Sequence, residues 1–200
     1  MQKLVLASTN KGKVQEIREL LTGLSFEIVG LADYPNAPEV AETGTTFAEN
    51  AMLKAKAIGE FTGSLTLADD SGLEVDCLGG EPGVYSARYG EQGWNDRQRY
   101  QYLVSKLKNV SPKLRSARFH SAVALYDPVS DRLELAEGTV EGKIIDEPRG
   151  ENGFGYDPVF FLPEYGQTMA ELPEAEKNRL SHRGRAIAKI IPKLRAFPES

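Results

Sequence analysis

The sequence predicts a mixed α/β fold, one domain spanning residues 1–200 and folded as two lobes around a cleft. Three observations predict it. The chain opens as an apolar run, a polar loop and a segment with apolar residues at helical spacing. A second apolar run, Leu65-Thr66-Leu67-Ala68, ends in the adjacent acids Asp69 and Asp70. The segment Ala117 to Leu125 alternates, and further strand-like stretches follow it directly. The first two read as strands joined to helices and the third as an antiparallel section.

Taken in order, Lys3-Leu4-Val5-Leu6-Ala7 has the unbroken apolar character of a buried strand. After Ser8 to Gly12, Val14, Ile17, Leu20 and Leu21 mark one face of a helix. Phe26-Glu27-Ile28-Val29 is a second short strand, and Asp33 to Pro38 a loop. Thr46-Phe47-Ala48-Glu49 is a capping box that starts a helix through Asn50, Lys54 and Ile58, ending near Gly59 to Gly63. The strand that delivers Asp69 and Asp70 follows, with Leu73 to Leu78 as a separate strand and Gly79 to Gly83 as a turn-rich loop. Asn95 or Asp96 caps a helix with Tyr100, Leu103, Val104 and Leu107 on its apolar face. Leu133, Leu135 and the stretch to Ile145 neighbour the alternating strand. Ser181 caps a last helix with Ile187, Ile190 and Leu194 on one face, and Pro192 loosens its end. No repeat, low-complexity tract or linker interrupts the 200 residues.

Composition narrows the function classes. With 40% apolar and 26% charged residues, the chain has the make-up of a soluble globular protein. A net charge of -5 argues against a nucleic-acid partner but leaves room for a small phosphorylated ligand held by a few local cations. The single Cys77 cannot form an internal disulfide, and its apolar surroundings predict a buried, inert thiol in a reduced compartment. No apolar run approaches the roughly 18 residues of a membrane span, and no signal-peptide pattern is present, so a cytoplasmic protein without a membrane partner is expected.

The chemistry is concentrated in a few places. Asp69-Asp70-Ser71-Gly72 brings two carboxylates, a hydroxyl and a glycine to a predicted strand end, where acids are poor core material and good ligands for a hard cation. The same residues fit a polar strand end with an Asx-type turn. Ser8-Thr9-Asn10-Lys11-Gly12-Lys13 departs from the nucleotide-hydrolase phosphate loop at Ala7 and Val14, yet backbone amides at a helix start beside Lys13 favour an anion. An ordinary strand-to-helix connection has the same spacing. Glu39, Glu42, Glu49 and Glu74 are the other acids at hand, Glu49 already engaged as a cap. Phe154-Gly155-Tyr156-Asp157-Pro158 presents an aromatic ring on a flexible turn, suited to stacking on a base or to plugging the following strand. Ser181-His182-Arg183 puts cations in a first helical turn, against the helix dipole, which a bound anion or a base acceptor would explain. His120 reads as a sheet residue, and Trp94, Tyr100 and Tyr102 as packing aromatics.

Six blocks in order resemble the inosine triphosphate pyrophosphatase family, the bacterial pyrophosphatases of non-standard purine nucleoside triphosphates. They are Ser8-Thr9-Asn10-x-Gly12-Lys13, Glu42-Thr43-Gly44-x-Thr46-Phe47-x-Glu49-Asn50-Ala51, Ala68-Asp69-Asp70-Ser71-Gly72-Leu73, Gly79-Gly80-x-Pro82-Gly83-Val84-Tyr85-Ser86-Ala87-Arg88, Gly153-Phe154-Gly155-Tyr156-Asp157-Pro158 and Ser181-His182-Arg183-Gly184. The resemblance implies an elongated, two-lobed mixed-sheet α/β fold with a central nucleotide cleft, assembled as a homodimer. It implies Mg2+-dependent hydrolysis of dITP, ITP and XTP to the nucleoside monophosphate and pyrophosphate, which cleanses the nucleotide pool. By the same resemblance Ser8, Thr9, Asn10, Lys11, Gly12 and Lys13, with Lys54, hold the triphosphate. Asp70 is proton acceptor and metal ligand, Glu42 a second metal ligand, and Ser71 touches substrate. Phe154, in the turn with Gly155 and Tyr156, stacks on the base, while Asp157, Lys177, His182 and Arg183 read its edge and hold the nucleotide. One departure stands out: many relatives carry a further acid before Glu42, where this chain has Ala41. Two other functions fit part of the pattern, a Maf-like pyrophosphatase of modified or pyrimidine nucleotides and a non-catalytic nucleotide sensor.

Overall fold

The computed structural model describes residues 2–197. The first strand, β1 (Gln2–Leu6), leads through a short loop into α1 (Lys11–Leu20), and β2 (Phe26–Gly30) follows. Then come α2 (Phe47–Thr62), β3 (Leu65–Val75), α3 (Asp96–Lys106), β4 (Ser116–Asp127) and β5 (Arg132–Ile144). The last part holds β6 (Phe160–Leu162), β7 (Gln167–Thr168), α4 (Glu174–Leu180) and α5 (His182–Leu194). Among the described residues, seven strands hydrogen-bond in the order β2-β1-β3-β4-β5-β6-β7. The sheet is mixed: β1 is parallel to β2 and to β3, with Leu4 opposite Ile28 and Leu65, whereas β6 is antiparallel to β5 and to β7.

The cap of α2 forms as the sequence predicts, and of the two candidates for α3 Asn95 is the cap. Thr46 and Glu49 close a reciprocal capping box on α2, and Gly63 ends the helix with a left-handed φ of 62°. Asn95 pairs with Gln98 in the same way at the start of α3. Pro192 lies inside α5, which continues to Leu194.

Two expectations are corrected, and one helix is added. Asp69 and Asp70 do not sit at a strand end, and Leu73 to Leu78 is not a separate strand: β3 runs unbroken through both acids to Val75. Asp69 and Asp70 are buried, and the groups that make their burial tolerable come from distant parts of the chain. Cys77 is exposed, because β3 ends at Val75 and Asp76–Leu78 is a short 3-10 turn that carries the thiol outward. Finally, α4 has no counterpart in the periodicity reading; seven residues after Pro173 are too few to display a repeat.

The chain forms two compact units. One comprises the chain up to Asp70, Ser121–Gly138 and the chain from His182 onward; the other comprises Ser71–His120 and Thr139–Ser181. The core of the first includes Leu4, Leu6, Ile17, Leu67, Val123, Leu125, Ile187 and Ile190. That of the second includes Leu73, Val75, Leu103, Leu107, Phe119, Val159, Phe160 and Leu172. The alternation of β4 holds only as far as Ser121; from there to Tyr126 every residue is buried, as for a strand covered on both faces.

Candidate active site

Side chains alternate along a strand, so adjacent residues of β3 meet different surroundings. Asp69 and Asp70 show how far that can go. Asp69 Oδ1 accepts a hydrogen bond from Ser121 Oγ at 2.6 Å on β4. Its Oδ2 pairs with Lys13 Nζ of α1 at 2.9 Å and with Arg183 Nη2 of α5 at 3.3 Å. Arg183, itself fully buried, also pairs with Glu16 of α1. Burial alone would push the Asp69 carboxyl up, but the Arg183 and Lys13 charges and the Ser121 hydroxyl hold it well below the usual carboxylate range. Arg183 shows the converse: burial works against its charge, and Asp69 and Glu16 outweigh it. These carboxylates supply the anion that a cation in the first turn of α5 calls for.

Asp70 is treated differently. Its Oδ1 accepts from Lys54 Nζ at 2.8 Å, and the same ammonium donates to Glu42 Oε1 at 2.9 Å and to the Asp69 carbonyl at 3.0 Å. Asp70 Oδ2 is buried and has no hydrogen-bond partner among the described residues. Burial pushes the Asp70 carboxyl up, Lys54 and Lys13 pull it down, Glu42 adds to the upward push, and the net direction is up. For Lys54, burial disfavours the ammonium, but Asp70 and Glu42 more than offset it and its pKa is raised.

The loop carrying Glu42 is fastened to the start of α2. Gly44 N–H donates to Asn50 Oδ1 at 2.8 Å, and Thr45 N–H to Glu49 Oε2 at 2.6 Å. A Cβ on Gly44 would lie 2.6 Å from Glu49 Cβ, so the loop lies flat on the helix start only with glycine there. Two turns further along α2 stands Lys54, which collects Glu42 and Asp70.

The Ser8–Lys13 connection forms the expected helix start. Asn10 Oδ1 caps α1 by accepting from Lys13 N–H at 3.1 Å, and Asn10 N–H donates to Ser8 Oγ at 3.2 Å. Thr9, Asn10 and Lys11 are exposed, Ser8, Gly12 and Lys13 half-buried. Ser71 follows Asp70 on β3 and is half-buried.

In the second unit the Gly153–Pro158 turn is tied down residue by residue. Phe154 N–H donates to Asp157 Oδ2 at 3.0 Å, Gly155 N–H to Asp96 Oδ2 at 2.8 Å, and Tyr156 Oη–H to the Ser86 carbonyl at 2.8 Å. Lys177, supplied by α4, places its Nζ 2.7 Å from Asp157 Oδ2 and 4.9 Å from the centre of the half-buried Phe154 ring. Gly153 has a φ of 79°, and a Cβ there would run into Asp157 Oδ2 and lie 2.7 Å from Lys177 Nζ. We expect Gly153→Ala to cost about 2 kcal/mol of stability, from left-handed backbone and the displaced pair; an unchanged chemical-denaturation midpoint would contradict this.

The structure therefore joins Arg183 to Glu16 and Asp69, and groups Lys177 with Asp157 and Phe154. His182 is buried at the first residue of α5. Sequence reasoning missed Glu16, Ser121 and Asp96 as members of these groups. Only Asp96 carried a local signal, as a candidate cap. His120 stays in β4 with Glu74 as neighbour, Nδ1 to Oε2 3.6 Å. Trp94 packs edge-on against Tyr102, ring centres 5.4 Å apart.

The Asp70–Glu42 pair offers the kind of oxygen donors that a hard divalent cation takes. Asp70 and Glu42 already converge on one positive charge, the Lys54 ammonium, and Asp70 Oδ2 is a buried acceptor without a donor. Among the described residues no cluster of three or more His, Cys, Asp or Glu could hold a metal. Two carboxylates completed by phosphate oxygens and water is the usual manner of binding Mg2+.

Residues 4–193 match the model of the Ham1 family, and the chain belongs to that family. It is 51% identical over 189 residues to a dITP/XTP pyrophosphatase of Desulforamulus reducens, covering 94% of each chain. A dITP/XTP pyrophosphatase of Geobacillus kaustophilus is 50% identical over 190 residues, 95% of this chain and 93% of the other. Among solved structures, a HAM1 protein from Coxiella burnetii superposes with a TM-score of 0.89 at 41% identity, covering 98% of this chain and 100% of its own. The resemblance carried by the six sequence blocks is borne out.

Proposed function

We propose that this protein hydrolyses non-standard purine nucleoside triphosphates, dITP, ITP and XTP, between the α- and β-phosphates, releasing nucleoside monophosphate and pyrophosphate. The observation that carries the chemistry is the contrast between neighbours on β3: Asp69 is locked as an anion by three donors, whereas Asp70 keeps a buried oxygen without one. In this reading water attacks the α-phosphorus, Asp70 Oδ2 takes its proton, the new P–O bond forms as the bond to the β-phosphate oxygen breaks, and pyrophosphate leaves. A carboxyl with a raised pKa is the better proton acceptor. Lys13 and Lys54 offset the negative charge that develops on phosphate, and the amides at the start of α1 bind its oxygens. Glu42 and Asp70 would hold Mg2+, which when bound polarises a phosphoryl oxygen.

Phe154 stacks on the base. Lys177, oriented by Asp157, offers a donor to the 6-oxo group of hypoxanthine or xanthine, where adenine presents an amino group. A buried donor left unpaired by adenine discriminates strongly. His182 and Arg183 complete the nucleotide-binding set, Arg183 through the carboxylate network around Asp69. A cytoplasmic homodimer completes the reading. Among the described residues no helix is long and apolar enough to cross a membrane.

Product analysis with dITP and Mg2+ tests the reaction: deoxyinosine monophosphate plus pyrophosphate is expected. Diphosphate plus phosphate would contradict cleavage at the α–β bond, and tight binding without turnover would make the protein a sensor. Phe154→Ala should raise KM for dITP about tenfold with little change in kcat, since base–aromatic stacking contributes roughly 1–3 kcal/mol. An unchanged KM would remove Phe154 from the base site.

A further inference from the structure

We propose that Asp96 is a positioning residue for base recognition, holding the turn that presents Phe154. The inference rests on the reading of Phe154 as the stacking residue. Asp96 opens α3 directly after the cap Asn95, where a carboxylate is favoured by the helix dipole. That preference does not account for its second contact. Asp96 Oδ2 accepts the Gly155 N–H at 2.8 Å across 59 residues of sequence, while Oδ1 lies 3.4 Å from Arg99 Nη1 one helical turn on. The Arg99 contact steadies the carboxylate, leaving the other oxygen for the turn.

The direction of the Gly155 amide is set by its backbone. With a φ of 64° the residue is left-handed, a conformation that glycine adopts without steric cost but that many other backbone states compete with. A fixed acceptor selects one of those states. Phe154 is the residue just before, and its own amide is tied to Asp157 Oδ2. Two neighbouring amides, one anchored within the turn by Asp157 and one to α3 by Asp96, fix the peptide plane between them, and so fix where the Phe154 side chain starts. Without the Asp96 anchor the ring would still be present but distributed over several poses. The base would then lose affinity, because ordering the turn would have to be done on binding.

The test is a set of four proteins assayed on dITP: Asp96→Ala, Asp96→Asn, Phe154→Ala and the double variant Asp96→Ala/Phe154→Ala. Asp96→Ala should raise KM roughly fivefold to tenfold, the scale of one ordinary net hydrogen bond, with kcat within about twofold. Asp96→Asn keeps an acceptor oxygen and should restore most of the affinity. The double variant should be no worse than Phe154→Ala alone, since a positioning residue has nothing left to position. Normal KM in Asp96→Ala, a loss in Asp96→Asn as large as in Asp96→Ala, or additive losses in the double variant would each overturn the proposal. An unchanged KM in Phe154→Ala itself would instead overturn the stacking reading on which it rests.

Discussion

Asp70→Asn is expected to lower kcat on dITP by about 10²- to 10⁴-fold, the range over which a positioned general base contributes, while nucleotide binding persists. Asparagine keeps the shape and retains an oxygen for Lys54, now at 2.8 Å from Asp70 Oδ1, but cannot take a proton from water. The same substitution carries a stability expectation of unusual sign for a buried acid. A carboxyl whose folded pKa is raised contributes stability below its unfolded pKa and loses it as pH rises through the folded value. Burial first, and Glu42 in addition, work against the Asp70 carboxylate more than Lys54 and Lys13 favour it. Removing that charge lifts this cost but leaves Lys54 with Glu42 as the remaining carboxylate of the group, so the melting temperature at pH 7 should rise or fall by no more than a few degrees. A carboxylate that the proposed chemistry needs and that burial disfavours is where activity and stability conflict. Turnover within a few-fold of the parent would remove Asp70 from the chemistry. A large fall in melting temperature would show that its carboxylate is structural.

Asp69→Asn should do the opposite. Here the folded pKa is depressed, so the stabilisation is present above the unfolded pKa and is lost as pH falls through the folded one. The substitution removes the charge that Lys13 and Arg183 share, leaving Arg183 buried with Glu16 as its remaining carboxylate partner in this group. Breaking one side of a buried ion pair costs about 3–5 kcal/mol, which for a chain of this size lowers the melting temperature by roughly 10 °C. The gap between parent and variant should be widest near neutrality and close on acidification below about pH 4, the ordinary aspartate range. Denaturant titrations across that range measure it. A gap that stays constant to low pH, or no gap at pH 7, would contradict the electrostatic account of Asp69.

How much of this was readable in the chain can be seen at these two residues. That Asp69 and Asp70 are out of the ordinary was legible, because two acids after an apolar run are conspicuous, and both are buried. That they differ was not, since the sequence suggested a turn where β3 in fact continues, and alternation along a strand is what separates their environments. Their partners were beyond reach for a simpler reason. Arg183 lies 114 residues from Asp69 and 167 from Glu16, and no local pattern encodes such pairings. By contrast the capping box at Thr46 was legible down to the residue, because donor, acceptor and spacing all lie within four positions, while at α3 the sequence narrowed the cap only to Asn95 or Asp96. Lys177 shows an intermediate case: the family resemblance pointed to it, yet its helix α4 was too short to announce itself.

The most direct test of the whole account is a side-by-side measurement of Mg2+-dependent pyrophosphate release from dITP, dATP and dGTP at equal concentration. The account predicts rapid release from dITP, release slower by orders of magnitude from dATP, and none when the metal is chelated. Comparable rates on dITP and dATP would contradict the base-reading roles of Phe154 and Lys177, and undiminished release in excess chelator would contradict the metal-binding role of Glu42 and Asp70.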